Sequence, residues 1–330
     1  MYHLITMADS GIIVGVLRGG PSSEYEVSLR SGAAVLKHLH PKYEPRDIFI
    51  SKEGEWHVDG ISRPPERILN TVDVVWNGLH GEYGEDGKVQ RLLDNLGVRY
   101  TGSGSVASAL AMNKLLTKKR LAEEGILMPR HIVVRKQDGM TVNVQKIFHK
   151  ISPPYVVKPI SLGSSVGVSV AKTIPELKPA LQNTFAVSRE ALVEELVFGK
   201  EATCGAIDNF RGQDVYSLLP IEIRYPKTCR FFDYDAKYSG VSEEICPGNF
   251  SREESAALQN IAAKVHKVLG LRHYSRSDFI VHPRRGPYFL ETNTLPGMTE
   301  ESLLPKALKA VGTELSEFLD HVLTLVLEGK

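Results

Sequence analysis

The sequence predicts an α/β protein: a doubly wound, mostly parallel sheet in the amino-terminal third, followed by two smaller α+β modules. Apolar strand-like runs alternate with helical patterns through the first hundred residues, with glycine-containing turns between them. Beyond Pro129, short strand-like stretches gather around single helices instead of alternating with them. A chain of 330 residues also exceeds what one hydrophobic core usually sustains, so two or three packed domains are expected.

In chain order, Ile12 to Leu17 is an apolar run, followed by a Gly/Ser turn and a helical pattern through Leu36. Val72 to Trp76 is a second buried-strand candidate that ends in Asn77-Gly78, and Asp86 to Leu96 has helical spacing stopped by Gly97. Ser105 to Glu124 reads as one longer helix with Val106, Leu110, Leu115 and Leu121 on its apolar side and Gly125 as its cap. The central strands are expected at His131 to Arg135, Tyr155 to Lys158, Val166 to Val170 and Ala191 to Val197, with a helix at Pro175 to Phe185. The last segment offers strands at Glu201 to Asp208, Val215 to Arg224, Ser277 to His282 and Tyr288 to Asn293. Its helices are expected at Arg252 to Leu269, Glu301 to Val311 and Glu314 to Leu327. These patterns divide the chain at 1–104, 105–198 and 199–330. The polar stretch Tyr225 to Asn249 exceeds the ~15 residues usual for structureless connections, which marks it as a closing or binding loop.

Composition narrows the function classes. Forty basic against 39 acidic residues, a formal charge of +1, lack the electrostatic footprint of nucleic-acid binding. No apolar run reaches the ~20 residues that span a bilayer, and Met1 to Asp9 lacks the pattern of a secretory signal, so a cytoplasmic, membrane-free enzyme is expected. Cys204, Cys229 and Cys246 are odd in number and widely spaced, which favours ordinary thiols over disulfides or a zinc site.

Several segments carry residues suited to chemistry. Lys158 ends a strand-like run and is followed by Ser161-Leu162-Gly163-Ser164-Ser165-Val166-Gly167, a turn able to wrap phosphate oxygens with N–H groups and hydroxyls, or simply a hairpin. Its spacing is not that of a Walker P-loop. Asp278 lies on one strand, while Glu291 and Asn293 lie two apart on another and share a face. Such an oxygen set suits magnesium, although a solvated strand face would look the same. Arg276 shares the face of Asp278. Gly297, in Thr294-Leu295-Pro296-Gly297, permits close backbone approach, and the N–H groups of Ser302 and Leu303 at a helix start could receive a carboxylate. Ser23-Glu24-Tyr25-Glu26 satisfies the capping-box pattern, so Glu26 either closes a helix or holds an ammonium. His80 follows a strand, where open α/β sheets place ligands. Gly102-Ser103-Gly104-Ser105-Val106-Ala107 matches a dinucleotide fingerprint, but the acidic residues ~20 positions on, Glu123 and Glu124, still belong to a helix.

Five segments in one order resemble the D-alanine:D-alanine ligase family of the ATP-grasp superfamily. They are Glu26-Val27-Ser28, His80-Gly81-x-x-Gly84-Glu85-Asp86-Gly87, Lys158-Pro159 with Gly163-Ser164-Ser165-Val166-Gly167, Asp235-Ala236-Lys237-Tyr238, and Glu291-Thr292-Asn293-Thr294-x-Pro296-Gly297-Met298-Thr299. The resemblance implies a three-domain ATP-grasp fold with ATP between the central and carboxy-terminal modules, and a homodimer. ATP would be held by Lys114, Lys158, Ser164, Ser165, Glu194, Val197, Phe231, Lys237 and Leu290, with Glu201 on the ribose. Two Mg2+ ions, replaceable by Mn2+, would sit on Asp278, Glu291 and Asn293. Glu26 and His80 would receive the first D-alanine, and Ser302 and Leu303 the carboxylate of the second. Tyr238 would join Ser164 and Glu26 in a triad, while Arg276 and the Gly297 N–H would face the oxyanion. The implied product is a dipeptide for peptidoglycan precursors, made through an acyl phosphate. D-serine is the alternative second substrate. Arg91, Ala202 and Pro247-Gly248 depart from the family's usual pattern.

Overall fold

The computed structural model describes residues 11–136, 143–225 and 242–329. The first domain comprises β1 (Ile12–Gly19), α1 (Tyr25–His38), β2 (Tyr43–Ile50), β3 (Trp56–Val58), β4 (Ile61–Ser62), α2 (Pro65–Leu69), β5 (Val74–Asn77) and α3 (Lys88–Asn95). Val14, Val16, Val74 and Trp76 are fully buried, as expected of parallel strands covered on both faces. The sheet order is β4-β3-β2-β1-β5, with β1 parallel to both β2 and β5. Strand order therefore reverses at β1, and a crevice opens where the chains leave β1 and β5. One feature departs from the parallel expectation. β3 and β4 extend the sheet in antiparallel fashion. β2 escaped notice because Glu44, Arg46 and Asp47 interrupt its apolar alternation.

The segment expected to form one helix at Ser105 to Glu124 is two, α4 (Ser105–Met112) and α5 (Lys114–Ala122). Asn113 leaves the helical region and its side chain caps α5, accepting the Leu116 N–H at 3.0 Å. Val106 is 81% exposed, so its place in the apolar spacing was misleading. The buried Ala111 and Leu121 pack with Cys204, Leu258, Phe279 and Phe289 of the last module. These helices thus pack against the carboxy-terminal sheet, while Lys118 of α5 also reaches β9 of the central module.

The central module contains β6 (His131–Arg135), α6 (Val144–Phe148), β7 (Tyr155–Pro159), β8 (Ser169–Ala171), α7 (Ile174–Val187) and β9 (Glu190–Glu195). Its antiparallel sheet has the order β6-β9-β7-β8 and is closed on one face by Leu177, Ala180 and Leu181 of α7. The last module contains β10 (Lys200–Asp208), β11 (Val215–Ser217), β12 (Ile221–Arg224), β13 (Glu243–Ile245), α8 (Arg252–Val268), β14 (Tyr274–His282), β15 (Gly286–Asn293), α9 (Leu303–Ala310) and α10 (Leu315–Glu328). The strand expected at Val215 to Arg224 divides into β11 and β12 around Pro220, which cannot donate to a ladder. The main path of this sheet is β13-β12-β10-β14-β15, with β11 also paired to β10.

α10 returns to the first domain. Phe318 meets Trp76 and Tyr274 edge-on, and the Trp76 and Tyr274 rings stack with centroids 5.9 Å apart. This shared apolar cluster fixes the crevice of the first sheet against β14.

Candidate active site

The two loops leaving the switch point of the first sheet converge on one cavity. His80, just after β5, is buried; its Nδ1 donates to the Leu295 carbonyl at 2.8 Å, and its Nε2 accepts from the Ser31 hydroxyl at 2.8 Å. Burial lowers its pKa, with Glu24 opposing the shift, which suits the neutral tautomer those partners require. The acid after β1 that faces this cavity is Glu24, not Glu26. Glu24 lines the cavity and accepts a hydrogen bond from the Ser164 hydroxyl, whereas Glu26 lies on the exposed side of α1. The expected capping box is absent: Glu24 itself occupies the cap position of α1 without a side-chain cap bond, and the helical turn carries Glu26 away from Ser164. Gly81 is forced to be glycine, because a Cβ there would stand 2.6 Å from the Glu24 carboxylate at a φ of +67°.

Glu85 ties this loop to the one after β15. Its Oε1 accepts the Gly81 N–H at 3.0 Å, and its Oε2 accepts the Thr294 and Leu295 N–H groups, each at 3.2 Å. Burial first, then the neighbouring Glu24, pushes its carboxyl up to about 7.

β14 and β15 supply the opposite wall. Asp278 pairs with Glu291 and Arg276 with Asn293 in the antiparallel register, which places all four on one face. Between Asp278 and Phe279 the register shifts, because Leu290 is an extra residue in β15. This bulge lets Leu290 face the cleft beside Glu291 while Phe289 turns inward against Phe279, with ring centroids 6.0 Å apart. Arg276 binds Asp278 in two-pronged fashion at 3.0 and 2.9 Å, and Asn293 Nδ2 donates to Asp278 Oδ2 at 3.1 Å. Burial opposes the Arg276 charge, but Asp278, Glu291 and Glu85 outweigh it and raise its pKa. Thr203 of β10 donates to Asp278 Oδ1 at 2.6 Å, and Lys114 Nζ lies 3.3 Å from Glu291 Oε2.

Two cavities adjoin on this face. The larger, about 240 Å³, is lined by Glu24, His80, Ser164, Arg276, Gly297, Ser302 and Leu303, among others. The smaller, about 80 Å³, lies between β7, β9 and β14–β15 and is lined by Lys158, Glu194, Val197, Glu201, Asp278 and Leu290. Ser165 and Glu291 line both. Ser164 and Ser165 hold left-handed φ values of 49° and 56°, an unusual pair of conformations of the kind that gathers at ligand clamps. Lys114 Nζ donates to the Leu162 carbonyl at 2.7 Å and so fastens this turn to α5.

The structure thus brings together the expected Lys114, Lys158, Ser164, Ser165, Glu194, Val197, Glu201, Leu290, His80, Arg276, Asp278, Glu291, Asn293, Gly297, Ser302 and Leu303. One detail at the helix start differs: the Ser302 N–H is already bonded to the Thr299 carbonyl at 2.9 Å, leaving the Ser302 hydroxyl and Leu303 to face the cavity. A Cβ on Gly297 would come 2.7 Å from that hydroxyl. Phe231, Lys237 and Tyr238, with most of the expected closing loop, lie outside the described residues. Sequence reasoning missed Glu24, Thr203 and the tethering role of Glu85. Glu85 lies within the His80 to Gly87 motif, and only pairing across the sheet reveals Thr203. Among the described residues no group of three or more His, Cys, Asp or Glu side chains is arranged to hold a metal, and no helix is long and apolar enough to cross a membrane.

A cleft walled by two antiparallel sheets, with lysines from one and an Asp–Glu–Asn face from the other, defines an ATP-grasp protein. Residues 13–67 and 59–103 match the family description "D-ala D-ala ligase N-terminus", and residues 121–324 match "D-ala D-ala ligase C-terminus". The D-alanine–D-alanine ligase of Geobacter sulfurreducens is 40% identical over 313 residues, covering 94% of this chain and 92% of the relative. A Bacillus anthracis D-alanine–D-alanine ligase solved in complex with ATP is 31% identical, with a TM-score of 0.79 over 96% of this chain and 98% of that one. The VanG D-Ala:D-Ser ligase of Enterococcus faecalis is 26% identical, with a TM-score of 0.82 over 96% and 99%. The chain belongs to the D-alanine–D-alanine ligase family.

Proposed function

We propose that this chain is an ATP-dependent ligase that joins two D-alanine molecules into the dipeptide used for peptidoglycan precursors, working as a homodimer in the cytoplasm. The observation that supports it most is the junction of the two cavities at Ser165 and Glu291. An acid in the larger cavity and a γ-phosphate at the edge of the smaller one would meet there.

In this reading Glu24 takes the place expected of Glu26 and holds the ammonium of the first D-alanine, with neutral His80 behind it. The carboxylate of that D-alanine attacks the γ-phosphorus, ADP departs, and an acyl phosphate forms. Lys114 and Lys158 hold phosphate oxygens, Glu194 and Val197 the adenine, and Glu201 the ribose. The second D-alanine anchors its carboxylate on the Ser302 hydroxyl and the Leu303 N–H. Its ammonium gives up a proton to Tyr238 or a phosphate oxygen, the resulting amine attacks the carbonyl carbon, and the C–O bond to phosphate breaks as phosphate leaves. Arg276 and the Gly297 N–H stabilise the oxyanion of the tetrahedral intermediate, a contribution of about 3 kcal/mol per donor in comparable sites. Exclusion of water protects the acyl phosphate, and the loop containing Lys237 and Tyr238 is assigned that closing role.

Asp278, Glu291 and Asn293 fit a divalent cation by the chemistry of their donors: both carboxylates already face cationic groups, Arg276 and Lys114, and hard oxygen donors suit Mg2+ or Mn2+. When bound, such ions neutralise charge on the β- and γ-phosphates. The test is ADP release with D-alanine, L-alanine and D-serine offered singly and in pairs. ADP that accompanies D-alanyl-D-alanine is expected; turnover only with D-serine as partner would make D-serine the second substrate, and indifference to all three would refute the proposal.

A further inference from the structure

Lys118 has no part in the chemistry above, yet its side chain is only 1% exposed. It lies one helical turn after Lys114 on α5 and points at β9. Its Nζ stands 2.8 Å from Oε1 of Glu194, while Lys158 Nζ stands 2.8 Å from Oε2 of the same carboxylate. One buried acid is therefore shared by two ammonium groups, each on its own oxygen.

Glu195, the next residue, is drawn to Arg130 at 3.0 Å. His131, opposite Glu194 on β6, is held towards its neutral form by burial and by Lys118. Burial lowers the pKa of Lys118 and Lys158 adds to that shift, while Glu194, 2.8 Å away, opposes it. The two lysines also differ in position: Lys158 lines the nucleotide cleft, and Lys118 is sealed behind Glu194.

We propose that Lys118 is a positioning residue for nucleotide binding, which keeps Glu194 paired so that Lys158 is released to a phosphate oxygen. The proposal rests on the nucleotide reading of the cleft. A buried carboxylate stripped of its counter-ion is strongly disfavoured. With Lys118 present, Lys158 moves to an incoming phosphate and Glu194 retains a partner. Without Lys118 the same movement would leave the Glu194 charge without a counter-ion, so Lys158 stays where it is and the phosphate loses its cation.

The experiment is a double-mutant cycle on Mg·ATP binding, measured by calorimetry on the full chain, with wild type, Lys118→Met, Glu194→Gln and the double variant. Lys118→Met should weaken Mg·ATP binding about 10- to 100-fold, the range expected for loss of a charge-assisted contact. In the Glu194→Gln background the same change should cost less than about threefold, because no carboxylate remains to be stranded. The KM for D-alanine should stay within about twofold in Lys118→Met, which a general loss of structure would not allow. Lys118→Gln gives the same comparison if the methionine variant fails to fold. Unaltered ATP affinity in a folded Lys118 variant, or an equal loss in both backgrounds, overturns the proposal. A wild-type chain that binds no ATP, or a Lys158→Met variant that binds it normally, would overturn the nucleotide reading itself and the proposal with it.

Discussion

Thr203→Val removes one hydroxyl from beneath the proposed cation site and leaves the side-chain shape almost unchanged. Thr203 is buried on β10, directly opposite Asp278 on β14, and its hydroxyl donates at 2.6 Å to Asp278 Oδ1 with a longer reach of 3.2 Å to the Ser277 carbonyl. Asp278 Oδ1 also receives Arg276 Nε at 3.0 Å, so this oxygen is aimed by two donors from different strands. Loss of a hydrogen bond to a charged group costs about 1.5–3 kcal/mol. Loss of a partner that orients a metal ligand typically weakens metal binding 10- to 100-fold. The expected result is therefore a rise of that order in the Mg2+ concentration needed for half-maximal ADP formation at saturating ATP. The chain should remain folded, with stability reduced by about 1–3 kcal/mol in urea titrations. An unchanged Mg2+ requirement in the folded variant would refute the assignment of Asp278 as a ligand aimed by Thr203.

Glu24→Gln should lower kcat/KM for D-alanine by at least about 100-fold, the scale for removing a desolvated charge partner, while Glu26→Gln should stay within about twofold. The reverse order would restore the assignment read from the sequence alone. Glu85 has its folded-state pKa raised from the ordinary 4.5 to about 7, so the native state keeps a proton that the unfolded chain has lost between those values. Its contribution to stability is accordingly full below about pH 4.5 and falls as pH rises through about 7, by up to about 3 kcal/mol. Glu85→Gln, which cannot ionise, should flatten the decline in Tm between pH 5 and 8, and a parallel curve would contradict the cause given. Asn113→Ala removes the cap between α4 and α5 and should cost about 1 kcal/mol by chemical denaturation; no change would mean that the helix break needs no cap.

How much of this was legible in the sequence follows from what each feature depends on. Period-two spacing was enough to place Glu291 and Asn293 on one face, because that relation is local to one strand. Leu290 joins them only through a bulge against β14, and the same alternation taken alone would turn it away. Glu24 and Glu26 sit two residues apart in one turn, and the choice between them depends on where α1 begins; the capping pattern suggested a start that the chain does not adopt. Asn113 interrupts an apolar spacing that continues on both sides of it, so the break is invisible to periodicity and visible to capping chemistry. Lys118 looks like a solvated helix residue, and only the packing of α5 behind β9 shows it to be buried with Glu194. The parallel core of the first sheet was readable from Ile12 to Leu17 and Val72 to Trp76, whereas β2, which is also parallel to β1, was masked by its charges.

In the proposed reaction the D-alanine carboxylate captures the γ-phosphoryl group before the peptide bond forms. Turnover of D-alanine labelled with 18O in its carboxylate, followed by mass analysis of the inorganic phosphate, tests this directly. One labelled oxygen transferred to phosphate per dipeptide formed is expected. Unlabelled phosphate alongside normal dipeptide synthesis would contradict the acyl-phosphate route and the placement of the acid beside Ser165 and Glu291.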